Sequence, residues 1–228
     1  MKNLFALSLS CCISSLTFAG TLTVDDDGKA DFNNIQAALD ASTNGDEILV
    51  MPGTYTGTAL YEVFDMPSHT IWLHSQGGPE VTFIDGEGSR RGIHCNDNTP
   101  DTVIEGFTIK NCSANWHSGS GGAIYMDSSF SGTLKDLVIK DCSADSSRGG
   151  GIYCRSDNEI NLINCQFENC TANYGGGMFT ELSNLNLVLT DCIFNSNSAQ
   201  RGGGFYCENN STPQLISCTF TNNSASGS

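Results

Sequence analysis

Arg148 and Arg201 open two nearly identical heptapeptides, RGGGIYC at 148–154 and RGGGFYC at 201–207, and Tyr174 precedes a further glycine triplet between them. Two guanidinium groups with a phenol between them are the parts from which an acidic sugar can be clasped, the carboxylate held by the arginines and the ring stacked on the aromatic face. Surface charge beside a glycine-rich corner accounts for the same residues without a ligand. Lys110 and Lys140 form a second candidate, each closing an apolar stretch with Asn or Asp after it. Close lysines depress each other's pKa, as a base for proton abstraction requires; a solvated face with Asp141 salt-linked alongside is the plainer alternative. Lys110, Lys140, Arg148, Tyr174 and Arg201 are therefore the candidate glycan-binding residues, and no catalytic residue is assigned.

Other reactive side chains form weaker patterns. The run DDDG at 25–28 clusters carboxylates as a calcium loop does but lacks that loop's full spacing and terminal Glu, so it reads as a turn ahead of a helix. His69, His74, His94 and His117 show no metal-ligand spacing, and neither a nucleophile elbow nor a phosphate loop is present. No metal site is expected. Of eleven cysteines, Cys11 and Cys12 lie in the first nineteen residues, leaving nine.

The elements that position these side chains follow from an internal repeat. Glycine clusters begin at Gly121, Gly149, Gly175 and Gly202, at steps of 28, 26 and 27 residues. A second anchor at Ile109, Ile139, Phe167, Phe194 and Phe220 converges on the same period, which belongs to solenoids. Alternating apolar residues such as Phe107 with Ile109 and Leu185 with Leu187 and Leu189 mark two or three short strands per unit. Such a unit cannot bury its apolar face alone. Stacking units in register, at roughly 4.8 Å per rung, forms parallel ladders and buries a continuous core.

In that register Lys110, Lys140, Glu168, Asn195 and Thr221 share one column, and Arg148, Tyr174 and Arg201 another. Cys112, Cys142 and Cys170 fall in the column that Asn197 and Asn223 continue; Cys165, Cys192 and Cys218 form a further one. Disulfides such as Cys112–Cys142 or Cys192–Cys218, and stacked buried thiols, are both open readings. The glycines are expected at a corner of the coil, where a Cβ would clash or φ is positive.

Before the rungs, ADFNNIQAALDAS predicts a capping helix with Phe32, Ile35 and Leu39 on one face and Asp31 as its cap. Residues 1–19 predict a signal peptide cleaved near Ala19; Ser8 and Ser10 fit a lipid-attachment signal poorly. No later run is long and apolar enough for a membrane helix. The predicted organisation is a signal peptide over 1–19, a cap and first rung over 20–60, and rungs over 61–228, regular from about residue 102. The last repeat stops short of its glycine triplet, so a longer solenoid, truncated at its C-terminus, is expected. The formal charge of -15, from 25 acidic and 10 basic residues, excludes nucleic acid as the expected partner.

The cap-region sequence DDDGKADFNNIQAALDASTNGDEILVMPGTY resembles the N-terminal region of right-handed parallel β-helix proteins of the pectin-lyase-like superfamily. VTFIDGEGSRRGI and TVIEGFTIKNCSA, with the glycine triplets, resemble secreted bacterial β-helix repeat proteins. GGAI at 121–124 with FNSN at 194–197 and FTNN at 220–223 is similar to the repeats of chlamydial polymorphic outer-membrane proteins. The resemblance implies an all-β right-handed solenoid. It does not extend to the family's WIDH-like, QDTL, DFIFG, NTDG or GHG segments. The expectation is an exported, secreted or surface-held module, non-catalytic and glycan-binding or adhesin-like, whose partner is a polysaccharide or cell-surface component and which needs no cofactor. The alternatives are a lyase or hydrolase acting on an acidic glycan, with calcium if a lyase, and a spacer or stalk.

Overall fold

The computed structural model describes residues 19–95, 101–114, 119–126, 130–155, 159–181, 186–209 and 212–227, except the side chain of residue 145. The predicted signal segment, but for its last residue, and His117 lie outside them. Among the described residues no helix is long and apolar enough to cross a membrane.

Each regular rung has four strands, one for each of four parallel sheets. In the rung over 132–154 they are Gly132–Lys135, Val138–Lys140, Ser143–Arg148 and Ile152–Cys154. Their equivalents build a first sheet of eight strands, a second of seven, a third of four and a fourth of six, paired rung to rung in register. The repeat pattern showed two or three strands; the third sheet escaped it because SADSSR and its counterparts carry no apolar alternation.

Stacked like residues fill the interior. Ile48, Leu73, Ile104, Leu134, Leu162 and Leu189 form a continuous buried column of the first sheet. In the second sheet Phe167 and Phe194 lie 4.4 Å apart and 2° from parallel. At about 1.5–3 kcal/mol for each large side chain buried, these columns dominate the favourable side of folding.

The corners follow from backbone sterics. Between the first and second sheets Asp136, Asn164, Asp191 and Ser217 adopt positive φ; between the second and third Asn111, Asp141, Asn169, Ser196 and Asn222 do, with φ from 50° to 58°. Asn and Asp tolerate this left-handed conformation best among non-glycine residues. Their side chains also link rungs, as Asn164 Nδ2 donates to Asp136 Oδ1 at 2.7 Å. The glycine triplets make the third-to-fourth corner, as expected: Gly149 has φ +66°, and a Cβ on Gly150 would overlap the carbonyl oxygens of Thr171 and Gly176.

The helix exists but starts later than its sequence suggests. It spans Ile35–Ala41, capped by Asn34, whose Oδ1 accepts from Ala37 N at 2.8 Å. Asp31 is not the cap. Its carboxylate accepts from Thr23 N and Oγ1 at 3.0 and 2.6 Å, which ties the segment to the first strand, and Phe32 pairs with Val24 rather than lying on the helix. Ile35, Ala38 and Leu39 are its buried face.

Candidate functional sites on two flanks

The outer face of the first sheet carries an exposed aromatic platform. Trp72 and His74 alternate outward on Ile71–Ser75, and their rings stack at 4.0 Å and 13°. Trp72 is 44% exposed although it belongs to a central strand of the sheet. The platform is held on both sides: His74 Nε2 lies 2.8 Å from Glu47 Oε1, and Trp72 Nε1 donates to Glu105 Oε2 at 3.3 Å. The bond from Thr21, then that from His74, keeps the Glu47 carboxyl below the ordinary range. Lys135 Nζ bridges Glu105 at 2.5 Å and Asp136 at 3.5 Å, and the Glu105 bond raises its pKa. Beside the platform opens a cleft of about 350 Å³, lined also by Asn164 and Gln166.

This arrangement joins a flat apolar face to fixed carboxylates and amides, which suits a hydroxyl-rich ring. Sequence reasoning missed it. Alternation on Ile71–Leu73 signalled a strand, but only rung stacking brings Glu47, Glu105 and Asp136 around Trp72.

The sequence candidates divide between two other regions. Lys110 and Lys140 are neighbours on the second sheet, as the register demands. Lys110 lies 3.5 Å from the Asp85 carboxylate and 4.4 Å above the Phe83 ring. Arg148, Tyr174 and Arg201 are consecutive in the third sheet, at the glycine corner, and well separated in fold position from the lysines. Tyr174 packs edge-on against Tyr206, and the Arg201 guanidinium lies 5.9 Å from the Tyr174 ring centre.

Arg148 turns instead toward the fourth sheet. Its guanidinium lies over Phe179 at 5.0 Å, with Nη1 2.8 Å from Glu181 Oε2 and Nη2 3.7 Å from Glu208. Burial opposes its charge, but the two carboxylates outweigh burial and raise its pKa. Tyr153 donates to the same Glu181 oxygen at 2.5 Å; burial and then that carboxylate push the phenol well up. Tyr125, Tyr153, Phe179 and Tyr206 stack in one column at 5.0, 5.6 and 5.6 Å.

The described acidic groups at these sites are engaged with their own neighbours. Asp25 and Asp27 accept from amides of their own turn, Asp26 accepts from Thr54 N at 2.9 Å, and Glu105 and Asp136 share an ammonium. Among the described residues no three His, Cys, Asp or Glu side chains converge as metal ligands.

The nine described cysteines are unbridged thiols. Cys142 Sγ points to Ile109 O at 3.8 Å and Cys170 Sγ to Ile139 O at 3.8 Å; in the next rungs Asn197 and Asn223 donate to Phe167 O and Phe194 O at 2.9 Å each. Burial raises the Cys142 thiol well above the ordinary range.

Four in-register parallel sheets wound into one coil define a β-solenoid whose outer faces carry the candidate sites. The family model for the right-handed β-helix region matches residues 69–228, and the chain belongs to that family. No curated protein matches it.

Proposed function

We propose that this chain is an exported β-helix module that binds a glycan along its flank, the Trp72 cleft serving as a sugar platform. The observation that carries the reading is the solvent-open Trp72 ring, fixed by His74 and Glu105 beside a cleft edged with carboxylates and amides. The likeness of the cap region and glycine repeats to pectin-lyase-like and surface-displayed bacterial β-helices supports export and a polysaccharide or cell-surface partner. So does the signal-like pattern of residues 1–19.

A sugar face covering about 80 Å² of the indole contributes about 2 kcal/mol, roughly thirtyfold in affinity. The test is retention of the chain by a panel of immobilised neutral and acidic polysaccharides, with Trp72→Ala compared at matched melting temperature. Retention by at least one polysaccharide, weakened roughly thirtyfold in the variant, is expected. Retention by none, or equal retention of both proteins, refutes the cleft reading. Assay of the same mixtures for new reducing ends and for unsaturated uronate absorbance decides whether the bound glycan is also cut.

A further inference from the structure

We propose that the corner between Ser120–Tyr125 and Ser147–Arg155 is an oxyanion site, built for a sulfate half-ester or a carboxylate carried on a sugar. It is distinct from the Trp72 cleft, and only its choice of a sugar as carrier rests on the glycan reading. The pocket measures about 380 Å³ and is lined by Ser120, Tyr125, Ser147, Arg148, Tyr153 and Arg155, all polar or amphipathic. It sits where the third sheet turns through glycines into the fourth, so two successive rungs supply its walls.

Charge singles this corner out. The chain has five arginines and a formal charge of -15. Three of the five gather here: Arg148 and Arg155 in the pocket wall, and behind it Arg91, whose guanidinium lies 4.8 Å from the Tyr125 ring and donates to Ser120 O at 3.0 Å. Arg91 is buried and faces Glu62 at 3.4 Å, so it contributes field rather than contact. Arg148 is a positioned donor, fixed by Glu181 and Glu208 over the Phe179 ring. Arg155 is exposed, makes no ion pair within 4 Å among the described residues, and lies within the field of Glu181.

The hydroxyls complete the donor set. Ser120 is 6% exposed, and its Oγ lies 2.7 Å from Ser147 Oγ. One proton is spent between them, which leaves the other hydroxyl able to donate into the pocket. An incoming oxyanion thus meets a fixed guanidinium, an exposed guanidinium and a hydroxyl, a set suited to charge-assisted hydrogen bonds.

The test uses inorganic sulfate and D-glucuronate as probes, with sodium chloride at matched ionic strength as control. Side-chain Nε–H resonances of Arg148 and Arg155 and the Trp72 indole N–H are followed by NMR through millimolar titrations. Saturable shifts at Arg148 and Arg155 without a Trp72 response are expected, and Arg155→Gln, read at the Arg148 Nε–H, should weaken binding about tenfold at an unchanged melting temperature. A response to sulfate alone assigns the site to a sulfate half-ester, to glucuronate alone to a uronate, and to both to either group. No saturable shift beyond the chloride control, or an Arg155→Gln titration equal to wild type, overturns the proposal. A parallel titration with glucose, followed at the Trp72 indole, reports on the cleft separately, so either site can fail without the other.

Discussion

The amide of Cys170 donates to the side-chain oxygen of Asn197, one rung away, at 3.0 Å. Asn197 is fully buried and returns the contact by donating from Nδ2 to Phe167 O. The amide side chain therefore does in one rung what the Cys142 and Cys170 thiols approximate in theirs, reaching back to a carbonyl of the preceding rung.

Replacing Asn197 by Leu removes both bonds and the one from Nδ2 to Asn223 Oδ1 at 3.0 Å, and leaves the buried Cys170 amide unmatched, a loss of about 2–4 kcal/mol. Asn197→Cys restores the side chain that this column holds in three other rungs and should cost less than half as much. Urea denaturation of the two variants decides the matter; equal losses would show that the column does not work through this backbone contact.

At the third-to-fourth corner, a Cβ on Gly176 would lie 2.5 Å from Ser198 O and closer still to Gly203 O. Both obstacles are backbone, so Gly176→Ala must force the rungs apart, and the expected result is loss of the cooperative folded state or several kcal/mol of stability. Gly28 has φ +78° and open space around the Cβ position, so Gly28→Ala should cost only about 1–2 kcal/mol of backbone strain. A comparison of melting temperatures that ranks the two the other way contradicts the close-approach account.

Seven thiols are buried, Cys95, Cys112, Cys142, Cys154, Cys165, Cys170 and Cys192, while Cys207 is exposed and Cys218 intermediate. Alkylation of the native protein at pH 8 should therefore reach Cys207 and Cys218 first and the other seven only after unfolding. Cys207, though its surface is open, should itself react slowly, because desolvation by the groups around it pushes its thiol up to about 11. Unfolding without reductant should release all nine. Mass spectrometry that finds a pair still protected, such as Cys112 with Cys142, would establish a bridge.

Glu181 carries the acid-limb prediction. Burial opposes its ionisation, but the bonds from Tyr153 and Arg148 prevail and hold its pKa below the ordinary value of 4.5. As pH falls, the unfolded chain takes up the proton first. The stabilisation is thus full above about pH 4.5 and is lost as pH drops through the lower folded value. Glu181→Gln should cost about 1 kcal/mol at pH 7, allowing for the partial exposure of Arg148, with the gap to wild type closing as pH falls below about 4.5. A gap that stays constant or widens on acidification would show that Glu181 does not act through its charge.

Much of this architecture can be read from the linear chain, because a solenoid repeats in space what it repeats in sequence. Glycines at 121, 149, 175 and 202 and the Ile109-to-Phe220 column set the period, hence the register, and the register puts Arg148 beside Tyr174 and Lys110 beside Lys140. Stacking converts spacing along the chain directly into neighbours at one rung's distance, so columns are determined locally.

What lies between columns is not. The helix start moved to Asn34 because Asp31 finds a stronger set of donors on Thr23, a partner eight residues away. The third sheet is held by backbone pairing of polar segments, which leaves no hydrophobic period to read. Likewise the Trp72 cleft gathers groups from the rungs of Glu47, Ile71 and Val103, and the Arg148 guanidinium swings from its own column to Glu181 on the next sheet. Side-chain direction at a corner depends on which carboxylate or ring lies within reach after the coil has closed, and that is fixed only by the tertiary structure.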